Sequence, residues 1–104
     1  MDTPSSPRLQ FSSDALRELC ERWHVRRLAF FGSILRDDFR EDSDVDLLVE
    51  FLPGLAPTLF SVEQMRRELS QVFGGRAVDL LTPASIKSRL REQILKQAVE
   101  QYAA

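Results

Sequence analysis

The chain has 104 residues, room for one small domain and not for a catalytic domain with a separate acceptor domain beside it. Hydrophobic residues make up 43% and charged residues 29%, which excludes disordered and collagen-like chains and predicts a globular fold around a thin core. Fourteen Lys plus Arg against sixteen Asp plus Glu leave a formal charge of −2, so no global positive field draws the chain onto nucleic acid or an anionic membrane, and any nucleotide contact must be local.

Residues Met1 to Gln10, with two prolines and two serines, read as an exposed, flexible lead-in to a single domain over 11–104. They lack a charged segment followed by an apolar one, and the lone Cys20 has no internal partner; both features predict a reducing cytoplasm. The longest apolar run is far short of the roughly 20 residues that span a bilayer.

Ser12 or Ser13 is placed to cap a first helix whose apolar side holds Leu16, Leu19 and Trp23. Leu28-Ala29-Phe30-Phe31 then reads as a buried strand that stops at a sharp Gly32-Ser33 turn. In Val45 to Phe51 every odd position is apolar, the alternation of a second strand, which Pro53-Gly54 ends. Val62, Met65, Leu69, Val72 and Phe73 follow helical spacing, with a Ser61 to Gln64 capping box before them and Gly74-Gly75 as the stop. Ala77 to Leu81 predicts a third strand. Thr82-Pro83 then opens a last helix with Ile86, Leu90, Ile94 and Ala98 on its buried side. The fold class expected is α/β (or α+β), a small mixed sheet of three or more strands flanked by helices.

Three acids, Asp44, Asp46 and Asp79, fall in or beside predicted strands among apolar neighbours, where a carboxylate is costly unless paired, hydrogen-bonded or bound to metal. Asp44 and Asp46, one residue apart on a strand, project from the same face and can grip one cation; oxygen ligands of this kind suit Mg²⁺ or Mn²⁺. A third carboxylate from a neighbouring strand can complete the set. At Gly32-Ser33 the glycine lets backbone approach a ligand closely, and the serine hydroxyl and nearby N–H groups can hold phosphate oxygens.

Gly32-Ser33, ten residues, then Asp44-Val45-Asp46 reproduces the G-S-x10-D-x-D signature, and Asp79 stands where the third carboxylate is expected. The chain therefore resembles the DNA polymerase beta-like nucleotidyltransferases. Its length, Gly32 to Arg36 and Ser43 to Val49 are similar to the minimal nucleotidyltransferases, the MNT-domain proteins, over about Leu16 to Tyr102. The resemblance implies that Gly32 and Ser33 hold the β and γ phosphates of ATP or another NTP. It further implies that Asp44 and Asp46 bridge two Mg²⁺ ions and that Asp79 binds the ion that activates the attacking hydroxyl. Arg36 is the candidate for contacting the triphosphate, since a guanidinium matches phosphate geometry. Where the family commonly has Gly after this arginine, the chain has Asp37.

The resemblance also implies an antitoxin encoded beside a HEPN-domain toxin, with AMP passed to a toxin tyrosine. Two other readings stand beside it: a non-catalytic antitoxin that neutralises its partner by contact, and nucleotidyl transfer to a small molecule or an RNA end. His24 reads as a helix-terminal residue and Cys20 as a small core residue. The pairs Arg26-Arg27 and Arg66-Arg67 read as solvated surface. Leu55, Leu59 and Phe60 exceed what a small core absorbs and hint at a partner surface.

Overall fold

The computed structural model describes residues 9, 11–35, 40, 43–54, 57–86 and 88–104, the side chains of Ser33 and Ser88 excepted. Its elements run α1 (Ser13–Arg22), β1 (Val25–Phe31), a 3-10 turn (Gly32–Leu35), β2 (Val45–Phe51), α2 (Leu59–Val72), β3 (Val78–Leu81), a second 3-10 turn (Pro83–Ser85), α3 (Ser88–Gln97) and β4 (Val99–Ala103). The four strands form one mixed sheet in the order β3-β2-β1-β4. β1 runs antiparallel to both β2 and β4. β2 and β3 are parallel, joined through α2 as a βαβ unit.

Alternation along the strands divides the sheet into two unequal faces. Leu28, Phe30, Val45, Leu47, Val49 and Val78 point to the larger core, where Leu16, Leu19 and Cys20 of α1 and Met65 and Leu69 of α2 meet them. Phe30 is fully buried and its ring packs against Phe11 and Phe73 at centroid distances of 5.7 and 5.9 Å. The other face carries a smaller cluster of Phe31, Leu48 and Ile86, closed by Leu81, by Ile94 and Leu95 of α3 and by Ala98 just after it.

Local signals set the helix ends. The Ser12 side chain accepts a hydrogen bond from the Ala15 amide, as a first cap should. For α2 the cap is Thr58, whose Oγ1 accepts from the Ser61 amide at 3.1 Å, so the helix begins a turn before the expected Ser61 to Gln64 box. Gly74 and Gly75, both at positive φ, end it as expected.

The last segment departs from expectation. Pro83 starts only a three-residue 3-10 turn, because Ile86 is extended (φ −96°, ψ 135°) and breaks the helical path before Ser88. Ile86 is buried, but Leu90 is 44% exposed instead of facing the core. The chain after α3 then adds β4 against β1, a strand the sequence pattern does not announce. Leu9 is buried in the main core, while residues 1–8 and 10 of the expected lead-in lie outside the described residues.

α1 and α2 are tied by Glu68, which accepts from the Trp23 indole N–H at 3.0 Å and from Arg22. These two donors, the indole first, hold its carboxyl below the usual range. A lowered folded-state value gives stability that is present above the unfolded carboxyl's value and lost as pH falls through the folded one. Acid unfolding should therefore show a smaller loss below about pH 4.5 for Glu68→Gln than for the parent chain, read by chemical denaturation across pH. Burial pushes the Cys20 thiol up to about 12. A thiol reagent such as DTNB should leave Cys20 unmodified in native protein and label it fully in denaturant.

Candidate functional site

One end of the sheet gathers the chemistry-bearing residues. Because β1 and β2 are antiparallel and β2 and β3 parallel, the end of β1 and the starts of β2 and β3 lie side by side there. Phe31, the residue before Gly32, pairs with Asp46, and Asp46 pairs in register with Asp79. Adjacent strands lie about 4.8 Å apart, so Asp46 and Asp79 stand level on neighbouring strands, with Gly32 beside them one residue past the end of β1. By alternation both carboxylates are on the smaller-core face, with Leu48 and Leu81 two positions further along. Asp44 stands at the entry to β2, exposed, two residues before the half-buried Asp46.

Gly32 and Asp46 are in direct contact. Gly32 has φ +72°, and a Cβ built there would lie 2.3 Å from Asp46 Oδ2. The position thus requires glycine twice, for its left-handed backbone and for the space that the carboxylate fills. Asp46 thus has the Gly32 backbone against its carboxylate and Asp79 as its register neighbour on β3.

The three carboxylates do not close into a tight cage. Among the described residues, no group of three or more acidic, histidine or cysteine side chains stands close enough to hold one ion. Like charges on adjoining positions repel, so a divalent cation would have to supply the charge that draws them in. The donor set nevertheless fits such an ion: hard carboxylate oxygens on paired strands, next to a turn where backbone is laid bare by glycine. Of the other expected residues, Ser33 follows Gly32 in the 3-10 turn. Its side chain, together with Arg36, Asp37 and Leu55, lies outside the described residues.

Two neighbours of this group are not evident from sequence. A cleft of about 600 Å³ opens beside Gly32, lined by Leu35, Gln97 and Val99, so the unannounced β4 supplies a wall. On the opposite flank Arg76 donates from Nη1 to the carbonyls of Arg40 (2.8 Å) and Ser43 (3.0 Å), just ahead of Asp44. Neither residue type nor spacing flags these positions, since both depend on how separate elements meet.

The remaining candidates stand apart from this group of acids. His24 sits exposed at positive φ in the turn between α1 and β1, and Cys20 is fully buried. Arg27 lies 3.0 Å from Glu100 and 3.6 Å from Glu50, and Arg66 and Arg67 both face Glu63. Leu59 and Phe60 are 91% and 81% exposed, at the other end of the sheet from the carboxylates.

Replacing Gly32 by Ala should displace the Asp46 carboxylate and cost about 1–2 kcal/mol from the left-handed backbone. Denaturant titration checks the cost, and side-chain carboxyl NMR shifts of Asp46 should move more than those of Glu50 on the same strand.

Comparison with known proteins fits this arrangement. The nucleotidyltransferase domain family matches residues 12–100. The protein adenylyltransferase MntA of Thermococcus cleftensis is 39% identical over 83 residues, covering 80% of this chain and 81% of that protein. A Methanocaldococcus jannaschii protein assigned as a protein adenylyltransferase is 41% identical over 76 residues, covering 73% and 78%. Among solved structures, one assigned as a minimal nucleotidyltransferase superposes with TM-score 0.69 at 38% identity, over 84% of this chain and 86% of that one. A toxin–antitoxin complex with AMP-PNP contains a chain of the same fold, with TM-score 0.70 at 18% identity over 89% and 74%. With a family match across most of its length and a sheet end of this make-up, the chain belongs to the nucleotidyltransferase domain family and is an enzyme of that class.

Proposed function

We propose that this enzyme transfers AMP from ATP to a hydroxyl on a partner protein, a tyrosine of a HEPN-type toxin, and acts in the cytoplasm as the antitoxin of the pair. The observation that carries the reading is Asp46, seated on the Gly32 backbone and level with Asp79. Relatives named as protein adenylyltransferases support the transferred group. A fold shared with toxin–antitoxin complexes, one of them holding AMP-PNP, supports the partner and the nucleotide.

In this reading Asp44 and Asp46 would hold two Mg²⁺ ions, with Mn²⁺ able to substitute, and Asp79 would add its carboxylate to one of them. The chemistry such ions would supply at these carboxylates is positive charge for an in-line displacement at phosphorus. The backbone of the Gly32–Leu35 turn and Ser33 receive the β and γ phosphates, and Arg36 contacts the triphosphate. The cleft walled by Leu35 and Val99 has the volume for a nucleoside. The acceptor oxygen bonds to the α-phosphorus as the bond to the α–β bridging oxygen breaks. Pyrophosphate leaves, and the hydroxyl proton passes to water. In this reading the phosphates enter over β1 and the acceptor over β3. Catalysis by this chain is then mostly positioning.

The test is transfer of label from α-labelled ATP with Mg²⁺ and a HEPN-type partner. Label should appear on a partner tyrosine, vanish with EDTA, and fall at least about a hundredfold with Asp44→Asn or Asp46→Asn. No label on the partner, or equal label with the variants, rejects the assignment.

The exposed Leu59 and Phe60 favour a second reading, neutralisation by contact alone. A doubly substituted Asp44→Asn, Asp46→Asn chain that neutralised the toxin undiminished would establish it over the first.

A further inference from the structure

We propose that Arg76 is a positioning residue for Asp44: its guanidinium ties down the backbone that delivers Asp44 beside Asp46. This inference rests on Asp44 belonging to the ion-binding site. The peptide on either side of Asp44 is held by one short run of chain. The Ser43 carbonyl accepts from Arg76 Nη1 at 3.0 Å, and the Val45 amide donates to the Ala77 carbonyl at 2.9 Å. The same guanidinium nitrogen reaches the Arg40 carbonyl at 2.8 Å. Ser43 closes the turn on itself, its amide donating to the Arg40 carbonyl at 3.1 Å and its Oγ accepting from the Arg40 amide at 3.0 Å.

Arg76 is itself fixed from behind. Ser70 Oγ of α2 donates to the Arg76 carbonyl at 2.5 Å, and the Gly75 amide donates to the Ser70 carbonyl at 2.8 Å. Three residues later the same run carries Asp79. Residues 76–79 therefore set Asp44 by hydrogen bonds and present Asp79 directly, so the spacing between the two carboxylates is established by one rigid segment. Both bonds leave from one nitrogen at the tip of the long arginine side chain, and the shorter lysine keeps the charge but only part of that reach. Residues that orient metal ligands from behind usually govern affinity by about 10–100-fold.

The test compares Arg76→Met, Arg76→Lys and Asp44→Asn with the parent chain, using two readouts that need no turnover. Hydrogen exchange at the Ser43 to Val45 amides should quicken in Arg76→Met and recover in part in Arg76→Lys. Mn²⁺ affinity, followed by electron paramagnetic resonance, should weaken about tenfold in Arg76→Met. In the Asp44→Asn background, Arg76→Met should add nothing further, since the residue it positions is already disabled. Unchanged Mn²⁺ affinity in Arg76→Met, or an equal extra loss in the Asp44→Asn background, overturns the assignment while leaving the ion-binding reading intact. Full Mn²⁺ binding by Asp44→Asn itself overturns both. Should Arg76→Met fail to fold, Arg76→Lys alone decides, by whether its Mn²⁺ affinity lies below that of the parent.

Discussion

The contact between the Gly32 backbone and the Asp46 carboxylate constrains everything around it. It requires a left-handed residue without a side chain at the end of β1, and it requires that end to lie beside the start of β2, which only the antiparallel pairing of the two strands provides. β3 runs parallel to β2 with Asp79 level with Asp46, and that direction obliges the chain to cross over through α2. The topology of the sheet is in this sense the set of connections that puts one glycine and two acids side by side.

The sheet serves two purposes with its two faces. The face toward α1 and α2 is closed and apolar, with Phe30, Leu47 and Met65 fully buried, and it holds the strands rigid. The opposite face is covered by α3 only in part: apolar residues such as Leu48 and Phe31 meet the helix, and the carboxylates lie beyond it. The acids of the candidate site thus stand on strands whose backs are locked in a core. Precision comes from one face and access from the other.

Much of this was legible in the residues themselves. Period-2 alternation in Val45 to Phe51 separates core positions from Asp46, and Ser12, Gly74 and Gly75 mark helix ends by their own chemistry. The positions Gly32, Asp44, Asp46 and Asp79 stand out by type and spacing, and the fold places them at one end of the sheet. What escaped depends on partners distant in sequence. β4 is a half-buried edge strand whose pattern (Val99-Glu100-Gln101-Tyr102-Ala103) carries no strong alternation, and it takes its conformation from pairing with β1. α3 begins late because Ile86 is drawn extended into the small core, a demand of packing that overrides Pro83 as a starter. The reach of Arg76 to the Ser43 carbonyl exists only after α2 has returned the chain to the sheet.

The parallel pairing of β2 with β3 has a consequence for folding. Asp46 and Asp79 are separated by all of α2, so their register is a non-local contact that no isolated hairpin or helix contains. A chain that has formed only the β1–β2 hairpin would carry Gly32 and Asp46 but lack the third position. Any ligand that needs all three strands therefore binds the finished fold and not its precursors, and its binding free energy adds to global stability by mass action. For the nucleotide of the proposed reaction, availability and the folded fraction of this small domain would be linked quantities.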